Sequence, residues 1–525
     1  MITSLFFLYI PIFLVLHVFT THLLHRIQNL PPTPLLSFPI IGHLYLLKRP
    51  LHQTLSRISH RHGPVFFLRL GSRPSVVVSS PSAAEECLAK NDIVFANRPS
   101  LMTGRIMAYN YTSLAWASYG DHWRNLRRIA SLELLSAHRL QTLAAIRRDE
   151  VKSLIQRLIK IDHKPVQNDG DDRIVNLREG FVELTQNSMM RMIAGKRYYG
   201  ETAADLEEAA RFREIQTETM RVGGKSNLGD YLPFIRWIGG QKRLENDMKE
   251  VQRKRDEFMQ HLIEEHKTKM NSQTDCRLPL KEGRKSLIEV LLSLQQTEPE
   301  YYTDEIIKGL MLVLLVAGTD TSMTAMEWAF SLVLNHPEVL NKAQAEIDRH
   351  VGNDRLVDES DLPKLLYLQS IIAETLRIYP PVPALIPHES SEDCMVGGFR
   401  VPRGTMLFVN AWAIQNDPSV WVDPTSFKPE RLARVVGPRD GLKWMPFGSG
   451  RRGCPGEGLA MKMIGLVLGS LVQCFEWERP SKELIDMTEG VGVTMPKAQP
   501  LKAKCRPRSS IMKLLSDQIE SIVVA

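Results

Sequence analysis

The apolar positions of this chain recur mostly at helical spacing, in long runs broken by proline, glycine and polar stretches. Residues 2–24 contain no Asp, Glu, Lys or Arg, enough to cross a hydrocarbon core, which takes about 20 apolar residues. Leu30-Pro31-Pro32-Thr33-Pro34 follows; prolines at that density cannot continue a helix and favour a stiff extended segment. Residues 65–70 and 75–79 are β-branched or aromatic runs joined by Gly71-Ser72-Arg73-Pro74, the pattern of a hairpin. Ser80-Pro81 then opens a helix, with serine as cap and proline in the first turn. Helical patterning covers 121–162 and 176–193, separated by a polar loop over 162–173, and a second polar loop spans 267–285. Residues 303–335 form one long helix whose stretch 306–318 carries a single charge, Lys308. At that length it reads as a buried core helix and not a second membrane span. Residues 368–378 are helical up to Pro380-Pro381, 395–401 and 406–411 are short strands, and the last strong helix begins near Gly458. The fold class is mostly α with a minor β part. It divides into an anchor over 2–24, a proline-rich hinge over 25–44, one large body over 45–510 and a tail over 511–525.

Composition narrows the setting. Lys+Arg 66 against Asp+Glu 59 gives a net charge of +7. That mild excess suits an anionic membrane surface or an acidic protein partner and is too dispersed to argue for nucleic acid. The six cysteines show no CxxC spacing and are few for 525 residues, so they read as a reduced, cytosol-facing set. No Lys or Arg precedes the apolar N-terminal run, and Thr20-Thr21-His22 makes a poor cleavage site, which favours an anchor over a cleaved signal. The basic residues that follow, from Arg26 to Arg61, place the body on the cytosolic side. The sequon Asn110-Tyr111-Thr112 then goes unused; a secreted, glycosylated protein is the reading it would otherwise support.

Four constellations carry chemistry. Cys454 sits in Phe447-Gly448-Ser449-Gly450-Arg451-Arg452-Gly453-Cys454-Pro455-Gly456. The glycines let the backbone approach a flat cofactor closely, and the helix opening behind the loop offers a positive dipole end to a thiolate. A buried structural cysteine is the bland alternative. Glu374 and Arg377 share a helix face at i, i+3, and Arg431 is a candidate third member of a buried, bidentate network. Asp320 and Thr321 place an acid and a hydroxyl inside the long apolar helix, where they cost energy unless used; a threonine bonded back to its i−4 carbonyl is the alternative there. Trp123 and Arg127 share a face able to grip an anion, against the alternative of a solvated basic face.

These four sets, in this order, resemble the cytochrome P-450 superfamily of haem-thiolate monooxygenases. By that resemblance Cys454 is the proximal ligand of haem b. Phe447, Gly450 and Gly456 belong to its haem loop. Trp123, Arg127, His388 and Arg452 fall where the family grips the haem propionates. Glu374, Arg377 and Arg431 match the ExxR network, and Leu432 stands where phenylalanine is usual. Thr321 and Asp320 match the acid–alcohol pair of oxygen activation. Residues 30–44, 189–200, 287–302 and 487–508 look like the plant microsomal branch that contains isoflavone 2'- and 3'-hydroxylases. That branch also includes enzymes closing methylenedioxy bridges on lignans.

The resemblance implies an oxidoreductase that takes O2 and electrons from an NADPH-cytochrome P-450 reductase and inserts one oxygen atom into a small lipophilic substrate. It also implies a single-pass protein of the endoplasmic reticulum membrane with its body facing the cytosol. The segments that line the family's pocket map to 101–116, 217–227, 313–317, 382–386 and 491–493, with Val313, Ala317, Val382, Ala384, Leu385 and Val491 as candidate substrate contacts. Their apolar character points to a flat aromatic metabolite of isoflavonoid or phenylpropanoid type. Bridge closure, phenol coupling, or an alkaloid or terpenoid substrate are the alternatives. A non-oxygenating haem isomerase, dehydratase or sensor is disfavoured by Asp320 and Thr321. Arg124, Arg128, Lys443 and Arg451 are candidates for steering an acidic reductase, or for a merely solvated basic surface.

Overall fold

A computed structural model describes residues 2–162, 174–200, 206–223, 225, 227–237, 239–273, 285–432, 442–492, 494–512 and 514. Its axis is the helix Asp304–Asn335, capped by Thr303, whose hydroxyl accepts from the Ile306 amide. Twenty-two of its residues are buried, so it has no single apolar face and must be wrapped on all sides. The helices Leu177–Ala194, Leu366–Ile378 and Glu457–Cys474 do the wrapping and share one apolar core with it. Two of these helices, Asp304–Asn335 and Glu457–Cys474, are long and apolar enough to cross a membrane. Both are mostly buried inside the body, so they are core helices, as expected for the first.

Among the described residues the β part falls into three separate sheets. Strands Val65–Leu70 and Arg73–Val78 pair antiparallel, with Val65 opposite Val78, through the expected hairpin. Arg73–Val78 then pairs parallel with Met406–Val409, which pairs antiparallel with His388–Glu389. A three-stranded sheet orders Ile174–Asn176, Lys502–Pro507 and Phe475–Glu478. The apolar run at 395–401 resolves into a separate hairpin, Cys394–Val396 with Phe399–Val401. The run at 406–411 ends its strand at Val409, because Asn410 caps a short helix by accepting from the Ala413 amide.

Two boundaries differ from expectation. The stretch 121–162 is not one helix: it breaks after Leu134, and Ser136 restarts it by accepting from the Arg139 amide. The second polar loop begins late. The helix Gly239–Gln273 runs through residues 267–273, because its charges pair across and along the helix, Lys267 with Asp304 and Lys269 with Glu265. Pairs of this kind support a helix whose composition alone looks like loop. Most of the polar loop at 162–173, Cys276, Val493 and the tail beyond 514 lie outside the described residues.

The N-terminal run is a helix, Ile2–Ile27. The prolines after it lie along the hairpin: the Phe67 amide donates to Pro32, and His43 bridges Pro34 and the Arg69 amide. Asn29 bonds the body at Gly398 and Arg400.

Candidate active site

The cysteine loop is suspended between two anchors. Its entry is tied to the helix Leu366–Ile378: Trp444 Nε1 donates to the Ala373 carbonyl at 3.0 Å. Gln415 accepts from the Met445 amide at 2.7 Å and donates to the carbonyls of Leu376 and Arg377. The loop's far side packs on Leu88 and Asp92. A Cβ at Gly450, which has φ +69°, would lie 2.3 Å from the Leu88 carbonyl, so both its conformation and its contacts require glycine. Asp92 also accepts from the Arg451 amide and pairs with its guanidinium at 2.5 Å. The Cys454 amide donates to the Phe447 carbonyl at 2.9 Å, which closes the loop and leaves the side chain free to project.

Cys454 is exposed, yet burial is the largest influence on its thiol and pushes its pKa up. The amides of Gly456 and Glu457, at the start of the last helix, and the charge of Arg127 act the other way and favour thiolate.

The central helix has its own opening. Val313, Ala317 and Thr321 are accessible at successive i+4 positions of a helix otherwise mostly buried. Thr321 Oγ1 donates to the Ala317 carbonyl at 2.7 Å, the back-bond usual for threonine, which leaves its lone pairs toward the opening. Asp320 is half-buried, and burial raises its pKa against the opposing influence of Thr494 and Arg178.

The expected propionate residues meet in one place. Arg452 lies over the Trp123 ring, 4.5 Å from its centroid, and donates to the carbonyls of Ala96, Leu114 and Ala117. Burial, with Arg127 nearby, lowers its pKa to about 10. The Trp123 indole donates to Leu114 at 3.1 Å, so it supports this corner through that carbonyl. His388 is buried and its Nδ1 donates to the Phe95 carbonyl at 2.7 Å. Burial, with Arg98 and Arg452 beside it, depresses its pKa well below the usual imidazole value. Arg127 differs from the rest: its guanidinium has no hydrogen-bond or ion-pair partner among the described residues, and burial lowers its pKa. An unpartnered cation beside an accessible thiol asks for an anion, and a soft sulfur ligand asks for a soft metal. The residues present therefore fit an iron porphyrin carrying propionates.

Glu374, Arg377 and Arg431 meet in one carboxylate network. Arg377 grips Glu374 with two bonds at 2.8 and 3.0 Å, and both side chains are fully buried. Arg431 reaches the same carboxylate at 2.8 Å. Leu432 is buried and fills its place without disturbing the arginine.

Of the remaining candidates, Val382, Ala384 and Leu385 are half-buried, and Leu385 lies 3.7 Å from where a Cβ of Gly448 would be. Val491 is exposed. The basic surface is partly neutralised: Arg124 pairs with Asp121 and Arg451 with Asp92, while Arg128 donates to the neutral Asn125 amide. Sequence reasoning missed Arg98, Gln415, Trp444 and Thr494. Only Trp444 carried a local signal, an aromatic at the mouth of the glycine loop.

Comparison with known proteins agrees with this geometry. Residues 31–502 match the family model described as "Cytochrome P450". The chain is 50% identical to the (+)-piperitol/(+)-sesamin synthase of Sesamum radiatum, over 94% of each chain. It is 49% identical to an isoflavone 3'-hydroxylase of Medicago truncatula, over 92% of this chain and 93% of that one. An isoflavone 2'-hydroxylase of Glycyrrhiza echinata is 47% identical, over 93% and 94%. A zebrafish family member solved with progesterone superposes with a TM-score of 0.72 at 27% identity, covering 88% of this chain and all of that one. This chain therefore belongs to the cytochrome P-450 family of haem-binding monooxygenases, which use O2, a redox partner and small substrates.

Proposed function

We propose that this protein is a single-pass, endoplasmic-reticulum monooxygenase of plant specialised metabolism that hydroxylates a flat, lipophilic aromatic substrate of isoflavonoid or phenylpropanoid type. The observation that carries the reading is the pairing of an accessible Cys454 with an accessible strip, Val313, Ala317 and Thr321, on an otherwise buried helix. A haem held by Cys454 would supply the oxidising chemistry, and a thiolate ligand suits it to oxygen activation. The chain's own work is to hold and to protonate. Arg127 and the Arg452–Trp123–His388 corner would hold the propionates. Thr321 would accept a hydrogen bond on the oxygen side, and Asp320 would hold the proton to be delivered there.

The apolar character of Val313, Ala317, Val382, Ala384, Leu385 and Val491 supports a lipophilic ring and disfavours a dianion, which would want paired arginines. Electrons are proposed to come from an NADPH-cytochrome P-450 reductase docking on the side of Arg124 and Arg128. In the N-terminal helix, Ile12, Phe13, Val15, Leu16 and Phe19 are each more than half exposed, which supports a hydrocarbon environment for it. The identity to a (+)-piperitol/(+)-sesamin synthase favours one second reading, methylenedioxy-bridge closure by the same oxidant.

The test has two parts. The reduced, CO-bound Soret band should sit at the thiolate position and be lost in Cys454→Ala; a normal band in that variant would falsify the ligand assignment. Microsomes supplied with reductase and challenged with isoflavone, lignan and alkaloid panels should turn over an aromatic member. Turnover of a lignan to a bridged product would select the second reading.

A further inference from the structure

The carboxylate of Asp320 is held from across the chain. Thr494 Oγ1 donates to Asp320 Oδ2 at 2.7 Å, over a sequence separation of 174. It is the only side-chain hydrogen bond to Asp320 among the described residues. The bond is one end of a strap. Trp328 Nε1 donates to the Met495 carbonyl at 2.7 Å, and the Met495 amide donates to Pro381 at 2.9 Å. Farther along, the Leu501 amide donates to Glu327 at 2.8 Å. Arg178 binds Glu327 through Nε and the Lys497 carbonyl through Nη2. The segment 494–501 is thus laced to the central helix from Asp320 to Trp328, and to the stretch that begins at Pro381.

A carboxylate with one partner can rotate about it. A hydroxyl that donates to Oδ2 leaves Oδ1 to carry and release a proton. The charged group bearing on Asp320 is Arg178, which is itself paired with Glu327. Neither touches the Asp320 carboxylate by hydrogen bond. Orientation of the acid therefore falls to Thr494.

We propose that Thr494 is a positioning residue for oxygen activation: it holds Asp320 Oδ2 so that Oδ1 points toward Thr321, and it ties that acid to the loop carrying Val491. This rests on the reading of Asp320 as the proton donor. In each turnover a proton leaves Oδ1 for the oxygen side and is replaced from solvent, while the redox partner supplies the electrons. Thr494 changes neither its own protonation nor its covalent state.

The experiment compares Thr494→Val, Thr494→Ser and Asp320→Asn as full-length holoenzymes with intact CO-bound Soret bands. Infrared difference spectra give the Asp320 carboxyl band as the one lost in Asp320→Asn, and its titration needs no substrate. In Thr494→Val that titration should move up by about one to two pH units, the worth of one hydrogen bond to the charged form. In Thr494→Ser it should return to the wild-type position. With reductase, peroxide released per NADPH oxidised should rise about twofold to tenfold in Thr494→Val. The double variant should release no more peroxide than Asp320→Asn alone. An unchanged carboxyl titration and unchanged peroxide release in Thr494→Val, with Asp320→Asn uncoupled, would overturn the role of Thr494 alone. Unchanged peroxide release in Asp320→Asn would overturn the reading of the acid, and the Thr494 role with it.

Discussion

Arg431 donates from Nε to Glu374 Oε1 at 2.8 Å, and Glu374 is fully buried. The carboxylate also takes two bonds from Arg377 and one from the Lys428 amide. Arg377 itself is spread over Gln415, Pro424 and the face of Trp421. The network is thus the joint between the helix Leu366–Ile378 and the segment that leads to the cysteine loop.

Removing one partner from such a joint strands a buried charge, at a cost of about 3–5 kcal/mol. Glu374→Ala and Arg377→Ala should therefore give little haem-loaded protein, read as the CO-bound Soret yield per milligram of chain. Arg431→Lys keeps the charge and loses the fork. It should fold with haem and melt below the wild type.

Gln415 offers a separate test of the joint. It satisfies two carbonyls and one amide in a fully buried site. Gln415→Leu fits the space and pairs none of them, costing about 1–3 kcal/mol for each group stranded. The thermal midpoint should drop, and the thiolate Soret band should decay faster on warming than in Trp444→Phe, which removes one bond to the Ala373 carbonyl, a helix-interior acceptor.

Arg127 separates haem binding from folding. Its guanidinium has no partner among the described residues, and burial opposes its charge. Arg127→Met should leave the stability of the haem-free protein equal or higher. The same change should speed haem transfer to an acceptor protein. Equal loss of both would place Arg127 in the structural framework.

Asp320 should show a conflict between stability and function. Its pKa is raised in the fold by burial. Between the unfolded and folded values the native state binds the extra proton, so stability is fully present below the unfolded pKa. It falls as pH rises through the folded one. At neutral pH the carboxylate is therefore a cost, and Asp320→Asn should raise the thermal midpoint. The gain should shrink as the pH is lowered toward the unfolded carboxylate value. The same variant should release more peroxide per NADPH.

Much of this site was legible locally. The glycine loop, the i, i+3 spacing of Glu374 and Arg377, and an acid–hydroxyl pair in an apolar helix each point to chemistry, since each would be costly or purposeless otherwise. The helix Gly239–Gln273 was read short because its stabilising partners, such as Asp304 for Lys267, lie on other elements. Thr494 and Gln415 had no local signal at all: a lone threonine and a lone glutamine become meaningful only opposite Asp320 and Met445.

The sequence by itself determined the mostly helical class, the thiol loop, the carboxylate network and the family, because spacing along the chain sets which side chains share a face and which backbone positions demand glycine. Only the tertiary structure decided that Arg127, near Cys454, has no hydrogen-bond or ion-pair partner among the described residues, that Arg452 lies on Trp123, and that Asp320 is held from residue 494. Those are contacts between elements far apart in the chain, and packing, not periodicity, brings them within reach of a hydrogen bond.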